Sequence, residues 1–503
     1  MFRCSHRPIR HSDPCNYTSL HARFFKDQGD TRRTFRRPRG SGGFARHNRA
    51  ARRQQGHGGD TACPPDCLPL VERCSPGAEI PVKHVFAVLL AGGEGTRLHP
   101  LTKYRAKPAV TFGGIYRLID FTLSNCINSD VRKVGVLMQT KSTSLNRHLH
   151  LAWNIYRPEL GEYIFPIHPA LSREGDLFHG TADAVFQNLR MIEGDITEVL
   201  IVAGDHIYKM DYSKMVRYHR AHGAETTVAV IEVAQPLAHQ FGIVETNPEG
   251  RIVGFKEKPE AAQPAACHPN KSLASMGVYV FNRERLLAAL SPEAMAAGEV
   301  DFGKNILPKL IHDHRVMAYD FVDENKKLSV YWRDVGTIDA YYEANMDLVG
   351  VDPLFNLYDT GWPLRTYQSP DPPAKFVFAD DYPDGRCGKA VDSIVSPGCI
   401  ISGGRLKRCV LSPKVYIHSW AQVDDSVLMD GVNVGRHCRI RRAIIDKGVS
   451  IPPRSVIGYD LEQDRKRFMV TDSGIVVIPK YAHVPNPAGI VCLSPSVPEP
   501  HKV

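Results

Sequence analysis

Val85-Phe86-Ala87-Val88-Leu89-Leu90-Ala91-Gly92-Gly93-Glu94-Gly95-Thr96-Arg97-Leu98 is an apolar run that ends on a cluster of glycines and an arginine. Apolar residues in an unbroken run bounded by glycine read as a strand buried on both faces, as in a parallel sheet. Glycines at 92, 93 and 95 leave backbone amides uncovered, so a polyphosphate can approach them closely. Thr96 lies in the same turn, and Arg97 adds a rigid positive fork beside those amides. This is a strand followed by a phosphate loop. It is not a Walker loop, because Gly95 is followed by Thr96-Arg97 where Gly-Lys-Ser/Thr would be needed. It is not a dinucleotide fingerprint either, because Leu98 stands where the third glycine should be.

From Val85 to about Val349, strand-like runs alternate with helical patterns. Val134–Met138, Val199–Ala203, Thr227–Glu232 and Gly277–Phe281 read as strands, Asp183–Glu193 and Asp211–His222 as helices. The alternation predicts a Rossmann-like, mostly parallel α/β sheet covered by helices on both faces. Ligands of such sheets bind beyond the carboxyl ends of the strands, and Gly92 and Asp205 both stand just after a strand. Beyond the proline-rich Asp371-Pro372-Pro373 the texture changes. Aliphatic or small residues recur every six positions, in Ile394-Ile400-Leu406, Val415-Ala421-Val427, Val434-Ile440 and Ile445-Ile451-Ile457. A six-residue repeat punctuated by turn residues predicts a parallel β-helix, each face of the coil contributing one inward residue.

Across 503 residues the net charge is +9, but residues 1–83 hold 16 basic and 7 acidic residues while the remainder holds 47 of each. The excess therefore gives the folded part no reason to bind nucleic acid or a membrane surface. The N-terminal segment, rich in Arg, His, Gly and Pro, lacks the apolar periodicity that would offset the entropy of ordering, so it is expected to be disordered. No apolar run approaches the roughly 18 residues of a membrane span, and no secretory h-region is present. Five of the 12 cysteines fall in the N-terminal segment; Cys63 and Cys67 have metal-like spacing but no second pair at ligand spacing. The others, scattered through apolar stretches, fit reduced thiols of a cytoplasmic protein.

The segment running from Leu98 through Leu101-Thr102, Arg105-Ala106-Lys107-Pro108-Ala109-Val110, Phe112-Gly113-Gly114 and Arg117-Leu118-Ile119-Asp120-Phe121 to Leu123-Ser124-Asn125-Cys126 closely resembles the start of bacterial glucose-1-phosphate adenylyltransferases. Further resemblances follow in chain order: Gly180-Thr181-Ala182-Asp183-Ala184, Ala203-Gly204-Asp205-His206-Ile207-Tyr208, Phe255-Lys256-Glu257-Lys258-Pro259, Ser272 to Tyr279, and Tyr331 to Thr337. The resemblance implies a nucleotidyltransferase domain over 84–350, a linker over 351–390, a left-handed β-helix over 391–480 and a tail over 481–503. Residues 1–83 then read as an extension upstream of the true start codon, since the resemblance begins near Lys83.

It also implies the reaction ATP + α-D-glucose 1-phosphate → ADP-glucose + diphosphate, with Mg²⁺, in a cytoplasmic homotetramer under the control of phosphorylated effectors. Such a transfer needs charge neutralisation on the triphosphate, a metal and an aligned nucleophile. Arg97, Lys107 and the loop amides suit the phosphates, and Asp205, at the end of a buried strand, suits the metal. Asp334 resembles the family's second metal carboxylate. Lys258 resembles the lysine that holds the phosphate of glucose 1-phosphate, with Glu257, Gly242, Ser275 and Phe178 as further sugar-site positions. Gln139 and the Gly180, Thr181 and Asp183 loop are assigned to ATP. The nucleophile is an ionised phosphate oxygen, so no histidine is given a catalytic role. Arg105, Arg117 and Lys447 match or supplement anion-binding positions for an effector. Tyr104 and Thr111 stand where enteric-type members have a lysine and a histidine, and Leu177-Phe178 where many have Trp-Tyr or Trp-Phe.

Overall fold

The computed structural model describes residues 82–169, 177–260, 270–298, 300–327, 329–380 and 385–487. The expectations for the N-terminal extension and for the tail beyond 487 fall outside the described residues. Strands β1 (Val85–Leu90), β2 (Lys133–Leu137), β3 (Tyr163–Ile167) and β4 (Glu198–Ala203) form the expected parallel ladder, in the spatial order β3-β2-β1-β4. Side chains alternate across a strand. Accordingly Val85, Ala87 and Leu89 enter one core with Ile119 and Met215, while Phe86 and Val88 enter a second with Ile306 and Leu310. This is why β1 reads as continuously apolar. Both its faces are covered.

The rest of the sheet mixes directions. After the short β5 (His206–Tyr208) come β6 (Thr226–Ala234), β7 (Gly242–Thr246), β8 (Ile252–Glu257), β9 (Lys271–Asn282) and β10 (Val316–Asp320). The long β9 runs antiparallel to β4, β6 and β7, and β10 runs parallel to β6. Periodicity finds a strand but carries no sign of its direction. Helix α1 (Leu118–Asn128) follows the phosphate-loop region. The expected helix over Asp183–Glu193 is shorter: α2 (Thr181–Phe186) ends and a separate 3₁₀ turn occupies Leu189–Met191. The expected Asp211–His222 helix is α3 (Tyr212–Ala221), with the Asp211 carboxylate accepting from Ser213 N at 2.9 Å as its N-cap. Strand β11 (Trp332–Asp334) pairs, among the described residues, only with β5, and α4 (Ile338–Asp347) follows it.

The C-terminal part is a parallel β-helix. Its three faces appear as the ladders Ile400–Tyr416, continuing to Asn433 and Ser450; Arg405–Gln422, continuing to Arg439 and Val456; and Val410–Val427, continuing to Ile444 and Val477 through neighbouring strands. Val434, Ile440, Ile445, Ile451 and Ile457 point inward as the six-residue repeat requires. Two registers slip by one residue: Ile401 and Leu428 enter the coil, in place of the expected Ile400 and Val427. Val427 lies instead with Val410, Ile444 and Val477 in a core shared with Phe112, Tyr341 and Leu348 of the sheet domain. That face is apolar inside and out, so alternation there cannot fix the register.

The stretch 351–390 is not a free linker. The β-helix ladder already begins at Lys375, opposite Ile400, and resumes at Lys389, opposite Arg405. Before that the chain is strapped across α1: Trp362 Nε1 donates to Asn125 Oδ1 (2.9 Å), Arg365 N to Ser124 Oγ (2.9 Å) and Thr366 Oγ1 to Asp120 Oδ2 (2.7 Å). No helix among the described residues is long and apolar enough to cross a membrane.

Candidate active site

Gly95 takes a left-handed conformation (φ 63°) at the start of a short 3₁₀ turn, Thr96–Leu98, and its carbonyl accepts from Thr102 Oγ1 at 2.8 Å. A Cβ at this glycine would also stand 3.0 Å from Lys107 Cβ, so backbone conformation and packing both require glycine. Loop and lysine stem are thereby locked together. They wall a cleft of about 230 Å³ lined by Gly93, Gly95, Thr96, Arg97, Lys107 and Asp205. Arg97 is exposed and projects beside Gly336, where an added Cβ would lie 3.3 Å from the guanidinium.

Asp205 leaves the end of β4 in a turn pressed onto β1. Gly204 N donates to Leu90 O at 3.0 Å, and a Cβ at 204 would come within 2.5 Å of Leu89. Asp334 is remote in sequence but arrives through β11, which places Asp334 opposite His206 and Trp332 opposite Tyr208. The Lys107 ammonium bridges the two carboxylates, 2.7 Å from Asp205 Oδ2 and 3.0 Å from Asp334 Oδ1. Burial pushes the Asp205 carboxyl up, yet Lys107 and His206 outweigh it and hold the group at about 2. Burial likewise opposes charge on Lys107, but Asp205 and Asp334 prevail and raise its pKa. The ligand atoms of Asp205, His206 and Asp334 lie within 4.8 Å of one another. The carboxylates already hold one cation, the lysine head, so the donor set fits a divalent ion.

Of the residues assigned to ATP, Gln139 lies beside the glycine loop, while Gly180, Thr181 and Asp183 are held at the start of α2. Gln139 Nε2 donates to Phe178 O at 3.4 Å, and a Cβ at Gly92 would touch both side chains, at 3.3 Å from Gln139 Oε1 and 3.8 Å from Phe178. Phe178, expected on the sugar side, therefore packs beside the phosphate loop. Asp183 is buried, and its carboxylate accepts from His179 N (2.8 Å) and Gln187 Nε2 (3.0 Å), which makes it a clamp of α2. Thr181 Oγ1 bonds Asp301 Oδ2 at 3.2 Å, and the chain after Gly180 is tied to Val300 O through Ala182 N at 2.9 Å.

At the sugar end Gly242 faces Glu257 across the β7–β8 ladder, so close that a Cβ would stand 2.8 Å from Glu257 Oε2. Ser275 lies on β9 next to Tyr279, whose buried hydroxyl, pushed up to about 12 by burial, also faces Glu257 and Asp301. Lys258 has φ 47°, donates its amide to Phe241 O at 3.0 Å and sends its exposed ammonium to within 3.5 Å of Glu257 Oε1. Tyr279, Asp301 and His206 escaped sequence reasoning. Only His206 had a signal, its place beside Asp205.

Arg105, Arg117 and Lys447 form a separate group between sheet domain and β-helix. Arg105 is not open: its guanidinium bonds Asp446, and its Nε donates to Leu101 O at 3.0 Å. Arg117 donates to Ala109 O (2.8 Å) and Ser144 Oγ (3.1 Å), and Lys447 lies 2.9 Å from Asp430. Burial lowers the pKa of Lys447, and Arg117 and Arg105 lower it further against Asp430. Burial lowers the pKa of Arg117 as well, while Asp120 and Asp430 oppose that shift. Arg439 and Arg441 do not join this group; they cover Tyr459 at 4.5 and 4.8 Å.

A strand–phosphate-loop start whose cations face two carboxylates across one cleft is the construction of a nucleotide-transferring enzyme, and residues 86–350 match the nucleotidyl transferase family. Residues 372–478 match the GlmU-like C-terminal hexapeptide family, a left-handed β-helix. The chain is 52% identical to the glucose-1-phosphate adenylyltransferase of Rhodopirellula baltica over 81% of its own length and 92% of the relative's. It is 52% identical to that of Koribacter versatilis, over 80% and 98%, and 50% identical to that of Methylococcus capsulatus, over 79% and 93%. The chain belongs to the glucose-1-phosphate adenylyltransferases.

Proposed function

We propose that this protein converts ATP and α-D-glucose 1-phosphate into ADP-glucose and diphosphate, as a cytoplasmic homotetramer supplying glucosyl units for glycogen. The observation that carries the reaction is the Asp205–Lys107–Asp334 cluster at the mouth of the glycine loop. Arg97, with the amides of Gly92, Gly93 and Gly95, grips the β- and γ-phosphates that leave together, and Lys107 supplies a second cation in the same cleft. Asp205 and Asp334 would hold Mg²⁺, which would supply further neutralisation of phosphate charge. The sugar phosphate enters along Gly242, Glu257, Lys258 and Ser275, and its ionised oxygen attacks the α-phosphorus without a base. Diphosphate release measured with ATP, UTP and dTTP in parallel tests the reading. Faster turnover with UTP or dTTP overturns it.

Lys258→Ala is expected to raise KM for glucose 1-phosphate with a smaller effect on KM for ATP. The exposed ammonium binds a phosphate present in ground and transition state alike. Equal losses for both substrates would remove Lys258 from that role.

A phosphorylated effector is expected beside Arg117 and Lys447; Arg105, held by Asp446, does not reach it. Tyr104, which carries no charge, packs edge-on against Tyr481 at 5.5 Å between centroids. A monophosphate needs fewer cationic contacts, so fructose 6-phosphate is expected to activate at lower concentration than fructose 1,6-bisphosphate. Initial rates titrated with both sugars decide this. Strong activation by micromolar bisphosphate, unchanged in Tyr104→Phe, would refute it.

A further inference from the structure

His206 sits where the two halves of the site meet. Its Nε2 faces Asp205 Oδ1 at 3.6 Å and Asp334 Oδ1 at 3.9 Å, both beyond hydrogen-bond range. On the other side its ring stands edge-on to Trp332 (5.2 Å), which in turn meets Phe241, the residue before Gly242, at 5.2 Å. A Cβ at Gly277, two residues beyond Ser275, would lie 3.9 Å from His206 Cε1. The ring is thus held between the carboxylates and the strand that carries the sugar site. Nδ1 is buried without a hydrogen-bond partner among the described residues.

That orphaned Nδ1 decides what Nε2 can be. An imidazole that ligates a metal through Nε2 carries its proton on Nδ1 and almost always donates it to an acceptor. Nδ1 has none here, which argues against His206 as a third metal ligand despite its distance from the carboxylates. Two carboxylates face Nε2 and no acceptor among the described residues faces Nδ1, which favours the neutral ring with its proton on Nε2, and the cationic ring carries one there as well. Nε2 is a donor in either form, turned toward the Asp205 and Asp334 carboxylates at the edge of the cleft and engaged, among the described residues, by no acceptor at hydrogen-bond distance. We propose that His206 Nε2–H donates to a non-bridging oxygen of the ATP α-phosphate as glucose 1-phosphate attacks it, making His206 a catalytic residue of this reaction.

The transfer stays balanced without a proton step. A phosphate oxygen of glucose 1-phosphate forms the new bond to the α-phosphorus, the α–β bridging bond breaks, and diphosphate leaves with the electron pair. Charge on the equatorial oxygens is redistributed in between, and a donor fixed by Trp332 and the β5–β11 ladder meets it without reorganisation.

His206→Phe keeps a ring against Trp332 but has no donor, and His206→Asn keeps a short donor. The Phe variant is expected to lose about 10²-fold in kcat, in line with removal of one donor to a developing oxyanion, with each KM within about threefold and melting temperature retained. The Asn variant should recover part of the loss. Sulfur is a poor acceptor, so one diastereomer of ATPαS should react slowly with wild type, and that extra penalty should vanish in His206→Phe while the penalty for the other diastereomer stays. The inference rests on the ATP-dependent reading, and the outcomes separate the two. Wild type that releases no diphosphate from ATP sinks the reading itself. Active wild type with a fully active Phe variant, or unchanged penalties for both diastereomers in that variant, sinks the role of His206 alone.

Discussion

Asp205→Asn is expected to lower kcat roughly 10³-fold or more while the protein stays folded. The amide preserves shape and removes the charge that Lys107 and His206 hold ionised down to about 2. At neutral pH the wild-type carboxylate is therefore fully charged. A neutral amide leaves Asp334 as the one carboxylate facing the Lys107 ammonium and any divalent ion. The fold survives because Lys107 keeps Asp334 at 3.0 Å and because the Gly204 turn is fixed by backbone contact with β1, not by the Asp205 side chain. Steady-state kinetics with saturating Mg²⁺, beside a melting curve, give the answer. Near-normal kcat would show that the two carboxylates do not hold the cation.

Arg105→Met should cost about 3 kcal/mol of stability, because it strands a buried charge. The Arg105 and Asp446 side chains are 5% and 1% exposed, and they join the phosphate-loop region to the β-helix. Without the guanidinium, the donors left to Asp446 among the described residues are the backbone amides Lys447 N at 2.7 Å and Lys480 N at 3.3 Å. Adding Asp446→Asn should return part of the loss, since it removes the uncompensated charge; that non-additivity marks the pair as coupled. Denaturant unfolding of the single and double variants measures it. A loss below about 1 kcal/mol for Arg105→Met, the scale of an exposed ion pair, would show that the pair is not the buried brace described here. Lys107 lies two residues beyond Arg105 on the same segment, so the brace also bears on the lysine that bridges Asp205 and Asp334.

The strength of the sequence reading lay where function requires a local pattern. The glycines of 92–95 and the apolar run before them specify strand and phosphate loop together, since uncovered amides and a doubly buried strand each leave a distinct composition. Asp205 was legible for the same reason, as a carboxylate emerging from a buried strand. The repeat beyond residue 391 was legible because an inward position must recur at each face of a coil. Its register failed at Val427, where the outer surface of the coil is itself buried by the sheet domain and loses its polar signature, and at Ile400, where Ile401 enters the coil instead.

What the chain could not declare locally is every relation that joins distant segments. Nothing near Asp334 tells that β11 will pair with β5 and bring it to Lys107, or that the same pairing will set His206 between the two halves of the site. Nothing in residues 351–370 announces a strap on α1, because its anchors Asn125, Ser124 and Asp120 lie in another part of the chain. Arg105 reads as an anion-binding cation until the β-helix delivers Asp446 to it. Strand β1, its glycine turn and the six-residue repeat follow from residues within a few positions of each other. The tertiary structure alone decided which charges face one another, because Coulomb energies and hydrogen bonds depend on distances in space that only packing sets.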